Sequence, residues 1–400
     1  MSFRTARRRL SFLLIFAMAW NLQAEGAGMS LETLKPAVRL IEEEVESGVL
    51  GAAALLVAQN GTVVLEEGFG HLSRKAGAKP CRNDSIFLMG SISKPVTATA
   101  VMRLVAQGRL KLEDPAQKYL PEFSGDGREK ITLRHLLSHT SGLPDMLPDN
   151  IALRQRQAPL KDFVAGALRT PLLFPPGTRV SYQSMGTLLA SEIVERVSGK
   201  PQDLFLREEV FGPLKMRRSS MGIGKRQIES TVLCDLPTQG SMPMKDSDAA
   251  WHWNSPYWRK LGAPWGGMHS SVRDIYFLLQ AMLDDGQPIL PPDLARQMRT
   301  NQNVGLDHPW GLGWAVGENT FYGGQSWDVL EKRRVFDKVF DKGTGGAVFG
   351  HSGATGMLCW ADPERKLVFV LFTDRPLGNH PGHLVRRVAK AVSAAANHQR

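Results

Sequence analysis

Cysteine is scarce in this chain: Cys81, Cys234 and Cys359 are all that 400 residues provide. No two of them have metal-ligand spacing, and an odd number leaves at least one thiol free. One disulfide can form in an oxidising compartment, but the sequence does not choose it. Cys359 lies in an apolar, strand-like run and reads as a core thiol, and no cysteine has a nearby histidine that would make it a nucleophile. Other absences narrow the field further. There is no Rossmann glycine pattern, no Walker loop, no zinc-finger spacing and no internal repeat. His135 and His139 stand four apart, but no glutamate completes an H-E-x-x-H pattern, so a zincin is excluded and both histidines read as structural. No metal or organic cofactor is expected. The apolar stretch near the start, residues 10–20, is too short for a comfortable membrane span.

What is present suits a large packed core. The chain is 42% hydrophobic, enough for one large domain or a core with a second, helical part. Its beginning, "RTARRRLSFLLIFAMAWNLQAEG", has a basic patch, an apolar stretch and small residues near Ala24. This is the three-part layout of a secretory signal, so residues 1–24 are expected to be a signal peptide and the protein to be periplasmic or secreted. The alternative is an N-terminal helix that stays attached, and an uncleaved leader is the one membrane contact expected. The formal charge is +10; a cut after Ala24 takes four arginines and no acid with it, leaving +6. Such an excess helps solubility. Without an RNA-binding or finger motif it points to no nucleic-acid partner.

The order of elements is informative. Residues 31–48 have helical spacing. Residues 51–70 read as two strands joined at Asn60-Gly61, a tight hairpin turn. "ITLRHLLSHTSGLPD" reads as a helix capped by Thr132 and ended by Ser141-Gly142. Residues 175–200 give a turn, an extended approach and a helix. Residues 221–262 are polar, Pro-rich and Trp-rich, and read as a long loop or lid. Residues 270–283 form an amphipathic helix capped by Ser270 or Ser271. A hairpin follows near 356–373, turning at Asp362-Pro363, and "GHLVRRVAKAVSAAA" closes the chain as a helix. The expected fold is α+β: a central antiparallel sheet built from both ends of the chain, flanked by helices, with a mostly helical inserted region.

The chemistry centres on "GSISKP", residues 90–95. Pro95 fits only within the first turn of the helix that follows, where its missing N–H costs little. Val101, Leu104 and Val105 mark one face of that helix, and Gly108 is its C-terminal stop. Ser91 then sits at the helix start with Lys94 one turn on, along the same side. A serine hydroxyl is a poor nucleophile at neutral pH and needs an adjacent base. For Lys94 to be that base, its pKa must be lowered by burial or by cationic surroundings. The plain alternatives are a helix cap for Ser91 and a solvated charge for Lys94.

The chain resembles the serine hydrolases of the penicillin-binding protein and class C β-lactamase type, a family that also includes esterases and D-amino-acid peptidases. The resemblance covers residues 35–390 and rests on "FLMGSISKPVTA", "SYQS" and "GHSGATG", with "LRHLLSHTSGLPD" and "WGGMHSSVRD" as two further stretches. It implies a single catalytic domain over residues 31–390, with a sheet part at about 31–85 and 305–390 and a helical part at about 90–300. It implies Ser91 as nucleophile, with Lys94 and Tyr182 as proton handlers, and leaves open which of the two is the base. It implies an oxyanion hole from the N–H groups of Ser91 and Ala354. His351 would orient Tyr182 or bind a substrate carboxylate when protonated, and Gly353 would let substrate approach the strand. Ser184 replaces the family's usual Asn, which argues against efficient β-lactam hydrolysis and leaves ester cleavage open; a helix cap is its plain reading. Trp251, Trp253, Tyr257, Trp258 and Trp265 either line an acyl pocket or pin the long loop to the core. The expected activity is that of a carboxylesterase on small or medium acyl esters, with a β-lactamase, D-Ala-type carboxypeptidase or D-aminopeptidase second and a non-catalytic peptidoglycan-sensing or scaffold domain third. The expected partner is a small-molecule ester or amide.

Overall fold

The computed structural model describes residues 29–236, 249–317, 347–376 and 384–397. The expected leader, residues 1–24, lies outside the described residues. No helix among the described residues is long and apolar enough to cross a membrane.

The strands are β1 (Ala52–Gln59), β2 (Thr62–Gly70), β3 (Phe87–Leu88), β4 (Ser220–Met221), β5 (Met268–Ser270), β6 (Ala315–Val316), β7 (Phe349–Gly353), β8 (Met357–Asp362) and β9 (Leu367–Thr373). Six form one sheet in the order β2-β1-β9-β8-β7-β6, and every pairing is antiparallel. The sheet is assembled from both ends of the chain, as the element order predicts. Asn60 and Gly61 take φ of 52° and 75°, the left-handed pair that a two-residue hairpin requires.

The sheet divides the core. Along β1, Ala52, Ala54, Leu56 and Ala58 face one apolar cluster, while Ala53, Leu55 and Val57 face another. The same alternation runs through β8 and β9. Both faces are covered, which is why these strands read as continuous apolar runs instead of alternating ones. Helices α1 (Leu31–Glu46) and, at the chain's end, Leu384–Ala395 supply the apolar side chains of one cluster.

The inserted region lies on the other face. Helix α2 (Ser93–Ala106) carries the predicted Pro95 in its first turn and stops just before Gly108, whose φ is +71°. It is buried nearly all round, with Ser93 to Met102 inaccessible on every side, so the single apolar face read from sequence understates it. Its threonines are satisfied internally: Thr97 Oγ1 donates to the Pro264 carbonyl at 3.0 Å and Thr99 Oγ1 to the Pro95 carbonyl at 2.8 Å.

Helix α3 (Leu133–Leu137) is shorter than its sequence predicts. Thr132 caps it, but it ends before Ser138 because His139 turns left-handed at φ 62° to make tertiary bonds. Helix α4 (Met185–Ser198) follows the "SYQS" segment as expected. A second, three-stranded sheet in the order β3-β5-β4 was not legible in the sequence, because its strands are two or three residues long. It matters for the site: β3 pairs with β5, and the Met89 N–H donates to the Met268 carbonyl at 2.8 Å, which fixes the chain two residues before Ser91.

The long segment at 221–262 is stitched down wherever it is described; residues 237–248 lie outside. Helix Pro256–Leu261 is capped by Ser255. The buried Arg259 guanidinium donates to the carbonyls of Trp253 and Val232 and to Asn254 Oδ1, at 2.8, 3.1 and 2.9 Å. Helix α5 (Val272–Leu283) has Ser271 as its cap. All three cysteines are buried and free, and burial pushes Cys81 and Cys359 up to about 12 and Cys234 to about 11, so none is a nucleophile.

Candidate active site

Ser91 occupies a single 3-10 turn, Gly90–Ile92, directly ahead of α2. Gly90 there has φ +53°, and Ser93 Oγ ties the turn together by donating to the Gly90 carbonyl at 2.7 Å. Lys94 points back along the helix. Its Nζ lies 3.2 Å from Ser91 Oγ and 3.2 Å from the Trp265 carbonyl. The amine is buried, 2% exposed, which rules out the solvated-charge reading. Burial holds its pKa down at about 8, against the opposing pull of the Asp145 carboxylate.

Tyr182 joins them from the segment before α4. Lys94 Nζ sits 4.5 Å from the centre of its ring. The Tyr182 pKa is pushed well above its ordinary value, chiefly by burial and then by Asp145, with Ser91 pulling the other way. Its hydroxyl closes no full hydrogen bond among the described residues. So at neutral pH Tyr182 is a phenol, and Lys94 is the group that loses its proton first.

His139 holds Tyr182 in place. Its carbonyl accepts from the Ser181 N–H at 2.9 Å and its Nδ1 from the Gln183 N–H at 3.2 Å, so the histidine clasps the backbone on both sides of the tyrosine. Its ring also packs on Tyr182, 4.8 Å between centroids. Trp310 completes the wall, 4.6 Å from His139 and 5.8 Å from His351. These bonds explain the left-handed backbone at His139: the strain is offset by two tertiary hydrogen bonds.

The opposite wall is the end of β7. A side-chain carbon added to Gly90 would lie 3.1 Å from the Ala354 nitrogen and 3.3 Å from Gly353 Cα. Thr355 Oγ1 locks the contact by donating to the Leu88 carbonyl at 2.7 Å. The Ala354 N–H therefore sits beside the Ser91 turn. Gly353 serves the protein's own backbone: a Cβ there would meet the Met89 carbonyl at 2.3 Å, so close approach of the Ser91 loop, more than of a substrate, demands glycine. His351 is buried, and its Nδ1 donates to the Ser352 carbonyl at 2.6 Å. Burial and the Lys94 charge push its pKa down to about 3, so it is neutral at physiological pH and has no charge to offer a carboxylate.

Ser184 begins α4 but makes no cap hydrogen bond. Its Oγ instead donates to Asp145 Oδ1 at 2.6 Å, and its N–H donates to the Asp145 carbonyl at 3.2 Å. The tryptophans of the long loop are buried in the core: Trp265 packs on Phe163 and Trp258, and Trp258 covers the Arg154 guanidinium at 3.9 Å. They pin the loop; of the four, the Trp265 carbonyl is what reaches Lys94. No group of three or more His, Cys, Asp and Glu side chains able to hold a metal exists among the described residues.

The geometry sits inside a sequence match that spans nearly the whole chain: residues 37–394 fit the family described as Beta-lactamase. The chain belongs to the beta-lactamase family. Within it, Esterase EstB of Burkholderia gladioli is 34% identical over 206 residues, 47% of this chain and 52% of that protein. N-acetylmuramyl-L-alanine amidase of Bacillus subtilis (strain 168) is 25% identical over 384 residues, 88% of this chain and 83% of that protein. A penicillin-binding protein homolog from Caulobacter crescentus superposes with a TM-score of 0.71 at 23% identity, covering 92% of this chain and 98% of that one. Family membership makes this chain a serine hydrolase by relationship; the relatives differ in the bonds their names say they cut. Asp145, His139 and Trp310 are the site residues that sequence reasoning missed. "LRHLLSHTSGLPD" already marked the stretch that carries the first two, but their contacts with residues 182–184 appear only on folding.

Proposed function

We propose that this protein is a serine hydrolase working through an acyl-enzyme, with carboxylic esters of small or medium acyl groups as its preferred substrates. The observation that carries this reading is the buried Lys94 amine 3.2 Å from Ser91 Oγ. Neutral Lys94 takes the Ser91 proton as Oγ attacks the carbonyl carbon. The oxyanion rests on the N–H groups of Ser91 and Ala354. Tyr182, as a phenol, gives its proton to the departing alkoxide and is reprotonated by Lys94. A water molecule then repeats the sequence on the acyl-enzyme, its proton passing to Lys94 and on to Ser91 as the acid leaves.

Ser184 favours esters over β-lactams. It spends its hydroxyl proton on Asp145, so this position has no donor for the amide carbonyl of a β-lactam side chain. An unmatched acceptor of that kind costs roughly 1–3 kcal/mol, about 10- to 100-fold in rate. Purified protein should therefore turn over short-chain p-nitrophenyl esters and cleave a chromogenic cephalosporin at least about tenfold more slowly. Faster cephalosporin turnover would reverse the ranking in favour of the lactamase or amidase reading. A folded protein that neither turns over esters nor labels with a serine-directed phosphonate would leave only the scaffold.

Lys94 also sets the pH profile. The base is active when neutral, so kcat/KM for a p-nitrophenyl ester rises with pH and levels off above an apparent pKa near 8. Below it the rate falls about tenfold per pH unit. A profile that is flat from about pH 6 to about pH 9 would remove Lys94 from the role of base.

A further inference from the structure

Two threonines fix the turn that carries the Ala354 N–H. Ala354 lies between β7 and β8, exposed between the buried Gly353 and Thr355. In front, Thr355 Oγ1 holds the turn to the Leu88 carbonyl at 2.7 Å. Behind, the turn rests on the end of β9. The Gly356 N–H donates to the Gly353 carbonyl at 3.0 Å and closes the turn. The Gly356 carbonyl accepts from the Thr373 N–H at 3.1 Å and from Thr373 Oγ1 at 3.0 Å. Gly356 has φ +103°, and a side-chain carbon there would collide with Thr373 Oγ1 and the Arg375 carbonyl.

Thr373 is itself anchored. It is fully buried, and Oγ1 also lies 3.1 Å from the Arg375 carbonyl. The next residue, Asp374, is buried too. Its N–H donates to the Ala52 carbonyl at 3.0 Å, and its carboxylate accepts the Gly51 N–H at 3.1 Å and faces the Arg74 guanidinium at 3.7 Å. Arg74 in turn donates to the Gly48 and Val49 carbonyls at 2.7 and 2.8 Å. The Asp235 N–H donates to the Asp374 carbonyl at 2.6 Å. Three other chain segments therefore hold the end of β9 still. The strand is apolar from Leu367 to Phe372, and its hydroxyl appears at the one position that meets the turn. Valine has nearly the same shape there, so packing alone does not call for threonine.

We propose that Thr373 is a positioning residue for the oxyanion hole: its hydroxyl, held by the Asp374–Arg74 anchor, fixes the Gly353–Gly356 turn so that the Ala354 N–H meets the substrate oxyanion. This rests on the serine-hydrolase reading and adds a residue to it that touches neither substrate nor nucleophile. An oxyanion donor acts through being in place before charge develops. The Thr373 N–H alone leaves the Gly356 carbonyl one bond, about which the turn can tilt. The second bond from the hydroxyl removes that freedom.

The test compares p-nitrophenyl butyrate with its thiono analogue, in which sulfur replaces the carbonyl oxygen. Sulfur is a weak hydrogen-bond acceptor, so the oxyanion donors help the thiono ester less. Thr373→Val should lower kcat for the oxygen ester by about 10- to 100-fold, with KM within about twofold of wild type. It should shrink the oxygen-to-thiono ratio of kcat by about tenfold, while Thr373→Ser, which keeps the hydroxyl, should hold the wild-type ratio. Asp374→Asn, which loosens only what lies behind Thr373, should lower the ratio in the same direction and by less. Each ratio is taken within one preparation, so a partly folded variant still reports it, and end-point phosphonate labelling of Ser91 counts the active sites. A ratio unmoved in T373V and D374N, even with kcat reduced, overturns the positioning role and leaves the hydrolase reading standing, as does a serine variant as impaired as the valine one. If wild type neither turns over the oxygen ester nor labels at Ser91, the hydrolase reading fails and the positioning role with it.

Discussion

Lys94→Met should lose about 10⁴-fold or more in ester hydrolysis and still fold. The activity falls because, among the described residues, no other base of sufficient proton affinity is hydrogen-bonded to Ser91. Tyr182 is held as a phenol, and the pKa of His351 is depressed with its Nδ1 committed to the Ser352 carbonyl. The stability of the same variant carries the sharper signature. The Lys94 pKa is about 8 in the folded protein against 10.5 as the ordinary value. The unfolded chain therefore binds this proton more tightly, and folding carries the full cost of the buried charge below pH 8 and sheds it between about 8 and 10.5. At ~1.4 kcal/mol per pKa unit the difference is on the order of 3 kcal/mol. Urea melts of wild type and K94M at matched pH values should show the variant's relative stability highest near neutrality, then falling by about that amount as the pH passes 10. A pH-independent difference would mean that the amine is solvated and that its pKa is not depressed.

Ser91→Ala should cost on the order of 10⁵–10⁶ in kcat on any substrate the protein accepts, and should abolish covalent labelling by a phosphonate. Little else should change. Ser91 is only partly buried, and the turn that holds it is secured by Ser93 Oγ, the Met89 N–H and Thr355 Oγ1, none of which the substitution touches. The melting temperature should stay within a few degrees of wild type, since a change of about 1 kcal/mol moves a chain of this size by only ~1–2 °C. A variant that keeps more than a hundredth of the wild-type rate would show that the chemistry runs elsewhere.

The readable parts of the fold were those with strong local chemistry. Asn60-Gly61 fixes a hairpin whatever surrounds it, and Pro95 admits one place in a helix, so the first two strands and the start of α2 could be located without coordinates. Ser91, Lys94 and Tyr182 were candidates from the resemblance, and Ser91 and Lys94 from their spacing as well. The structure brings all three together. What escaped was set by tertiary contact. His139 breaks α3 early because Ser181 and Gln183 need its carbonyl and its ring nitrogen. Asp145 is an unremarkable loop acid until Ser184 meets it. At Gly353 the Met89 carbonyl, 2.3 Å from where a Cβ would sit, is a crowding neighbour that the sequence does not show. The short strands β3, β4 and β5 hold too few residues for any periodicity to show.

The contact between Thr355 and Leu88 has a consequence for how the molecule is made. It joins residues 267 positions apart, and β1 finds its neighbour β9 only after most of the chain exists. Such distant pairings form late, because the loop between them must close first. During synthesis from the N-terminus, Ser91 and Lys94 emerge long before the wall that carries Ala354. On the proposed mechanism, a ribosome-bound chain would hold its nucleophile without its oxyanion wall until β7 and β9 join the sheet.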